Sequence, residues 1–234
     1  MTRSFEDQVT RVAALRDPVR RSLYQFVANS AEAVSREQAA AAVGIQKPLA
    51  AFHLDKLAED GLLEFEFRRL TGRTGPGAGR PAKLYRRSAE HVSVSLPARE
   101  YDLAGRLLAG AIDAAEASGK SVRTELKRAS RALGRDIGEQ AVARAGKRPS
   151  KTKQRDALIE LLREYGFEPR LVGREIVLAN CPFHSLSQQF TDLVCGMNLH
   201  LLEGVRSVFE LGDALQPRLE PAPGQCCVKF CGAA

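Results

Sequence analysis

All five cysteines of this 234-residue chain lie after residue 180. Cys181 sits in Asn180-Cys181-Pro182-Phe183-His184, and Cys195 in Val194-Cys195-Gly196-Met197-Asn198. Cys226 and Cys227 follow Pro223-Gly224-Gln225, and Cys231 is near the end. The intervals are not those of a CxxC zinc ribbon, so spacing alone says little about metal. Position says more. Cys181 and His184 fall at a strand-to-helix loop, Cys195 inside a helix, and Cys226/Cys227 at a strand start. If these junctions converge, they supply the soft thiolates that an iron–sulfur cluster or a zinc ion needs. Adjacent residues on a strand point to opposite faces. With Val228 and Phe230 inward, Cys226 shares their face, although a loop start breaks that parity, so both remain candidates. Cys231 reads as a frayed-tail thiol and His200 as a surface residue. The alternative for each thiol is plain packing as a small apolar side chain.

A second set of residues points to polyanions. Residues 68–87 hold Arg68, Arg69, Arg73, Arg80, Lys83, Arg86 and Arg87 and no acid. Such a loop can enter a minor groove or grip backbone phosphate. Gly79-Arg80-Pro81 keeps Arg80 extended, which makes it the expected groove probe. Upstream, a helix from about Lys47 to Asp60 offers Gln46, Lys47, Pro48, Ala51, Phe52 and Lys56 to the major groove. Ala51 or Phe52 suits a thymine methyl and Lys47 suits phosphate or guanine, while core packing is the other reading of Phe52. His53 reads as a surface or capping residue.

The elements that must position these groups are legible in part. Asp17-Pro18 opens a helix with Val19, Leu23, Phe26 and Val27 at helical spacing. Ser35 and Gln38 form a capping box for a short Ala-rich helix closed by Gly44. Leu49, Leu54 and Leu57 are expected inward on the third helix, which Gly61 stops. Leu62–Leu70 and Lys83–Arg87 read as strands around a Gly/Pro-rich loop. Three helices followed by a hairpin is the order of a winged helix-turn-helix. Two longer helices follow from Pro97 to about Ala145, and 146–155 reads as a basic linker or tight turn. Next come a helix at Asp156–Tyr165, a hairpin turning at Gly173-Arg174, a helix at Ser185–Glu210, and strands at Leu215–Glu220 and Cys227–Phe230. The expected class is therefore α+β. A winged helix-turn-helix spans 1–95, a helical dimerisation region 96–150, and a mixed α/β Cys-containing sensor 151–234.

The run QKPLAAFHLDKLAEDGLLEF resembles the bacterial winged-helix repressors of the ArsR-like group, over roughly residues 10–90. Together with NCPFH, LVCGMN and PGQCCV, the chain is similar to actinobacterial relatives of the Suf-operon repressor family, which are iron–sulfur-containing transcriptional regulators. The resemblance implies that Cys181, Cys195 and one of Cys226/Cys227 ligate a cluster, with His184 as a possible fourth ligand. It also implies a homodimer on a double-stranded DNA operator.

Charge supports this division. Net charge is +7 overall. It is +4 over residues 1–95, +7 over 96–155 and −4 over 156–234, a basic front and an acidic, Cys-bearing rear. No apolar run approaches the ~20 residues of a membrane span. The N-terminal stretch lacks a signal-peptide core, so a cytoplasmic protein without a membrane partner is expected. An enzyme with Cys181 as nucleophile and His184 as base is the competing class. No orienting carboxylate, phosphate loop or dinucleotide fingerprint accompanies that pair, and the expectation is a regulator rather than an enzyme.

Overall fold

The computed structural model describes residues 5–69, 81–146 and 149–232. The chain divides into two compact units, Met1–Val94 and Ser95–Ala234.

The first unit runs α1 (Phe5–Ala14), α2 (Pro18–Ala28), β1 (Val34–Ser35), α3 (Arg36–Val43), α4 (Lys47–Glu59), β2 (Leu63–Arg68) and β3 (Ala82–Arg87). Local chemistry sets most boundaries. The Asp17 carboxylate accepts from the Arg20 amide at 3.0 Å to start α2, and Ser35 with Gln38 forms the capping box of α3. Gly61 closes α4 at φ +70, and a Cβ there would strike the buried Arg11 guanidinium. Arg11 in turn reaches Glu90 at 2.6 Å. The strands form an antiparallel sheet in the order β1-β3-β2, with Phe65 opposite Tyr85 and Phe67 opposite Lys83. Leu23, Val27, Leu54, Leu57, Leu63 and Tyr85 form the core. Helix α1 and strand β1 were not anticipated. Phe5, Val9 and Val12 of α1 face outward, so no buried apolar stripe announces that helix.

The second unit contains α5 (Tyr101–Ser118), α6 (Val122–Arg144), α7 (Lys151–Glu164), β4 (Pro169–Val172), β5 (Glu175–Leu178), α8 (His184–Gln189), α9 (Thr191–Arg206), β6 (Gln216–Leu219) and β7 (Val228–Cys231). The sheet is antiparallel in the order β4-β5-β7-β6. The helices assigned above to a separate 96–150 region share one core with the rest of this unit. The stretch expected as a basic linker turns helical at Lys151, capped by Ser150. The helix expected over 185–210 is two helices that meet at Phe190, whose ψ of 52 leaves the helical region. The reason is burial: α8 buries no residue, whereas α9 buries Val194, Cys195, Met197, Asn198, Leu201, Leu202 and Val205.

α6 and α9 cross at glycines. A Cβ on Gly134 would fall on the Leu201 carbonyl oxygen, and one on Gly204 on the Arg131 carbonyl oxygen. Arg206, at the end of α9, is buried, and its guanidinium donates to the carbonyls of Phe209, Gly212, Ala214 and Leu215. That clamp shapes the loop leading into β6, and burial pulls the Arg206 pKa down. Among the described residues no helix is long and apolar enough to cross a membrane.

Candidate nucleic-acid interface and candidate thiol site

In the first unit, α4 presents one exposed face of Gln46, Lys47, Pro48, Leu49 and Phe52, with Ala51 and Lys56 half-buried beside it. Phe52 is 66% exposed and Leu49 43%. Leu49 therefore points outward, not into the core as its spacing predicts, because Ala50, Leu54 and Leu57 already fill the inward face. His53 is buried rather than a surface residue, packed edge-on to Phe52 at 5.2 Å, and its Nδ1 has no partner among the described residues.

The cations of this unit are more compensated than the stretch 68–87 suggests. Arg68 pairs with Glu66 at 3.4 Å and Arg86 with Glu64 at 3.1 Å. Lys47 pairs with Glu37 of α3, and Lys56 with Glu59 and Asp60. Lys83 reaches Asp55 at 2.5 Å and lies 3.8 Å from the Phe65 ring centre. The counter-charges come from β2, α3 and α4, outside the window in which no acid was counted. Arg69 and Arg87 have no ion-pair partner among the described residues. Arg73 and Arg80, the expected groove probe, lie outside the described residues. Exposed pairs of this kind are worth only about 0–1 kcal/mol each, so phosphate can displace the carboxylates.

Asp55 is the residue that reading by motif missed. It accepts from Arg36 at 2.6 Å, Lys83 at 2.5 Å and the Tyr85 hydroxyl at 2.6 Å, joining α3, α4 and β3. Burial alone would raise its pKa, but the Lys83, Tyr85 and Arg36 donors outweigh this and hold it below the usual 3.8. A depressed folded pKa contributes stability above the unfolded value, and that contribution is lost as pH falls through the folded pKa. Asp55→Asn is therefore expected to destabilise the full chain at about pH 6, with the gap to the parent narrowing toward about pH 3. Urea unfolding at the two pH values measures it; a gap independent of pH would contradict the network.

In the second unit four thiols from three segments come near one another: Cys181, Cys195 and Cys227 line one cleft, and Asn198 beside them reaches the Cys226 sulfur. Cys181 and Cys226, Cys226 and Cys227, and Cys227 and Cys195 lie close enough to shift one another's pKa. Cys226 is the sulfur best placed to carry negative charge. Cys181 and Cys227, then the Val228 amide and Asn198, lower its pKa against burial, to about 4. The same contacts, with burial, push Cys181 and Cys227 up. Asn198, 1% exposed, donates to the Cys226 sulfur at 3.2 Å, and its Oδ1 has no partner among the described residues. Its position three residues after Cys195 on one helix is the signal that could have found it. Both Cys226 and Cys227 join the group. The ladder between β5 and β7 is brief, with Ile176 opposite Phe230 as its pair, and the two cysteines precede β7, so strand parity does not apply to them.

His184 is exposed, and the structure does not bring it into the thiol group. Its side chain lines the mouth of a cleft of about 420 Å³ that Cys181, Cys195 and Cys227 also line. Cys231 belongs to β7 and is not frayed. It is buried, donating to Glu220 at 3.4 Å, apart from the other four. His200 is partly buried and bonds Glu203 at 2.7 Å.

The Cys181 loop is tied to the chain just before α5. The Arg99 guanidinium donates to Asn180 Oδ1 at 2.6 Å, and Asn180 Nδ2 donates to the carbonyls of Ala98 and Gly166. The Glu100 amide donates to the Pro182 carbonyl at 3.0 Å, and the Tyr101 hydroxyl bonds the Ser185 hydroxyl at 2.8 Å.

Among the described residues no three His, Cys, Asp or Glu side chains are disposed as a metal-binding group. The donor set itself, four sulfurs with two from adjacent residues, is chemically suited to a soft metal or a cluster.

A helix-turn-helix domain family matches residues 15–64. That match and the hairpin behind it fit a winged helix-turn-helix regulator of the ArsR type, and so a DNA-binding transcriptional regulator. No curated protein and no solved structure matches the chain.

Proposed function

We propose that the chain is a dimeric transcriptional regulator, not an enzyme. Its grip on a double-stranded operator is set by the state of Cys181, Cys195, Cys226 and Cys227. The meeting of four thiols from three distant segments, behind a DNA-reading unit, carries this reading. These four residues would hold an iron–sulfur cluster, which supplies a centre that oxidants and nitric oxide destroy. The resemblance to the Suf-operon repressor family favours that group over zinc. Ligating a centre would draw these sulfurs toward it, and the Cys181 loop would respond. Arg99, Asn180, Glu100 and Tyr101 pass that response to the segment that continues directly from the DNA-reading unit. A difference of ~1.4 kcal/mol between states changes operator affinity tenfold.

The test is purification without oxygen, with iron, sulfide and zinc content, visible absorbance, and titration of a duplex selected from random sequence. The parent is expected to hold iron and sulfide, to bind two chains per duplex, and to change affinity when the metal is removed. Cys181→Ser is expected to lack the absorbance and the response. A colourless zinc protein would replace the cluster by zinc. A variant that keeps both the absorbance and the parent's binding would overturn the reading.

A further inference from the structure

The cleft above the thiols has features that holding a metal does not require. Its lining includes Cys195 and Cys227 together with Arg99, His184 and Gln188. The Arg99 guanidinium is held only by neutral acceptors: Asn180 Oδ1 and the carbonyls of Ala98 and Cys181. Among the described residues no carboxylate lies within ion-pair distance of it. A fixed cation with its charge uncompensated, lining a concave site, is a receptor for an anion, and a guanidinium suits a carboxylate. The volume of about 420 Å³ matches a small molecule rather than a simple ion. The groups such a molecule would meet inside are thiols. Cys227 is the only one of the four that is not fully buried, and it lines the cleft together with Cys195.

We propose that in the metal-free chain this cleft binds a small carboxylate-bearing disulfide, the oxidised form of a low-molecular-weight thiol, and exchanges it for a Cys195–Cys227 disulfide. One of these two sulfurs attacks one sulfur of the bound disulfide, whose S–S bond breaks. One small thiol leaves with that cysteine's proton, and a mixed disulfide remains. The other cysteine then attacks the protein sulfur of the mixed disulfide and releases the second small thiol, which takes its proton. Two protein thiols are oxidised and one disulfide is reduced to two thiols, so the exchange is stoichiometric. Arg99 is a binding residue for the ligand's carboxylate. The site stands whether or not the same thiols also hold a metal.

The experiment uses the full chain stripped of metal and reduced, treated with oxidised glutathione or with the uncharged disulfide of 2-mercaptoethanol. Mass spectrometry follows the oxidation, and peptide mapping locates the bond. The parent is expected to react faster with the charged disulfide and to yield a Cys195–Cys227 link. In Arg99→Ala the preference for the charged over the uncharged disulfide should fall about tenfold, the loss of one charge-assisted hydrogen bond. The uncharged disulfide serves as the control for any local disturbance caused by the substitution, and Arg99→Lys should retain part of the preference. An unchanged preference in Arg99→Ala, or a link mapped to Cys226–Cys227, would overturn the proposal. Metal content plays no part in this readout, so failure of the cluster reading and failure of this one are seen separately.

Discussion

Phe52→Asp is expected to weaken binding to duplex DNA about 100-fold or more, at unchanged thermal stability of the chain. Phe52 is 66% exposed at the centre of the outward face of α4, where its ring lies edge-on to His53. A large apolar side chain left in water there is matched to an apolar base edge, of which the thymine methyl is the one in the major groove. A carboxylate in its place removes that contact and sets a negative charge among phosphates, which together cost roughly 3 kcal/mol. Phe52→Leu keeps the contact and should stay within a few-fold of the parent. Fluorescence anisotropy at fixed salt measures both. Equal affinities for the two variants would mean that α4 is not the reading helix.

Gly134→Val is expected to be the most destabilising single change in the second unit. The added atoms would have to occupy the place of the Leu201 carbonyl, and the obstacle is the backbone of α9, so no side-chain rotation relieves it. Overpacking costs typically about 1–3 kcal/mol and more where the backbone must move. A loss of roughly 3 kcal/mol lowers the melting temperature by about 10 °C. Gly134→Ala should shift it the same way by less. Because α9 carries both Cys195 and Asn198, the displacement should also separate the thiols, seen as faster alkylation of Cys195 in the folded chain. Calorimetry of the two variants checks the first effect; a melting temperature equal to the parent's would show that the helices do not cross at this glycine.

Much of the local structure was legible in the residue order. The Asp17-Pro18 start, the Ser35–Gln38 box, the Gly44 and Gly61 stops and the Gly173-Arg174 turn each act within a few residues, where backbone sterics and one hydrogen bond decide the outcome. Leu49 shows where that reasoning ends. Its spacing marks it as apolar on a helix, but whether it meets a core or a ligand depends on what Ala50, Leu54 and Leu57 already fill. The break at Phe190 was missed because an apolar period does not report that the preceding turns leave every residue at least partly exposed.

What the sequence determined by itself was the kind and order of most elements from α2 onward, the basic character of the front, and the small set of side chains able to bind a soft metal or undergo thiol exchange. The tertiary structure decided which of those side chains meet. It brought Cys226 and Cys227 together with Cys181 and Cys195, left His184 at the cleft mouth, buried Cys231 elsewhere, and set Asp55, Glu64 and Glu66 against cations that looked unopposed. Each of these contacts joins residues on different elements, and their partners follow from how the elements pack, which no local spacing encodes.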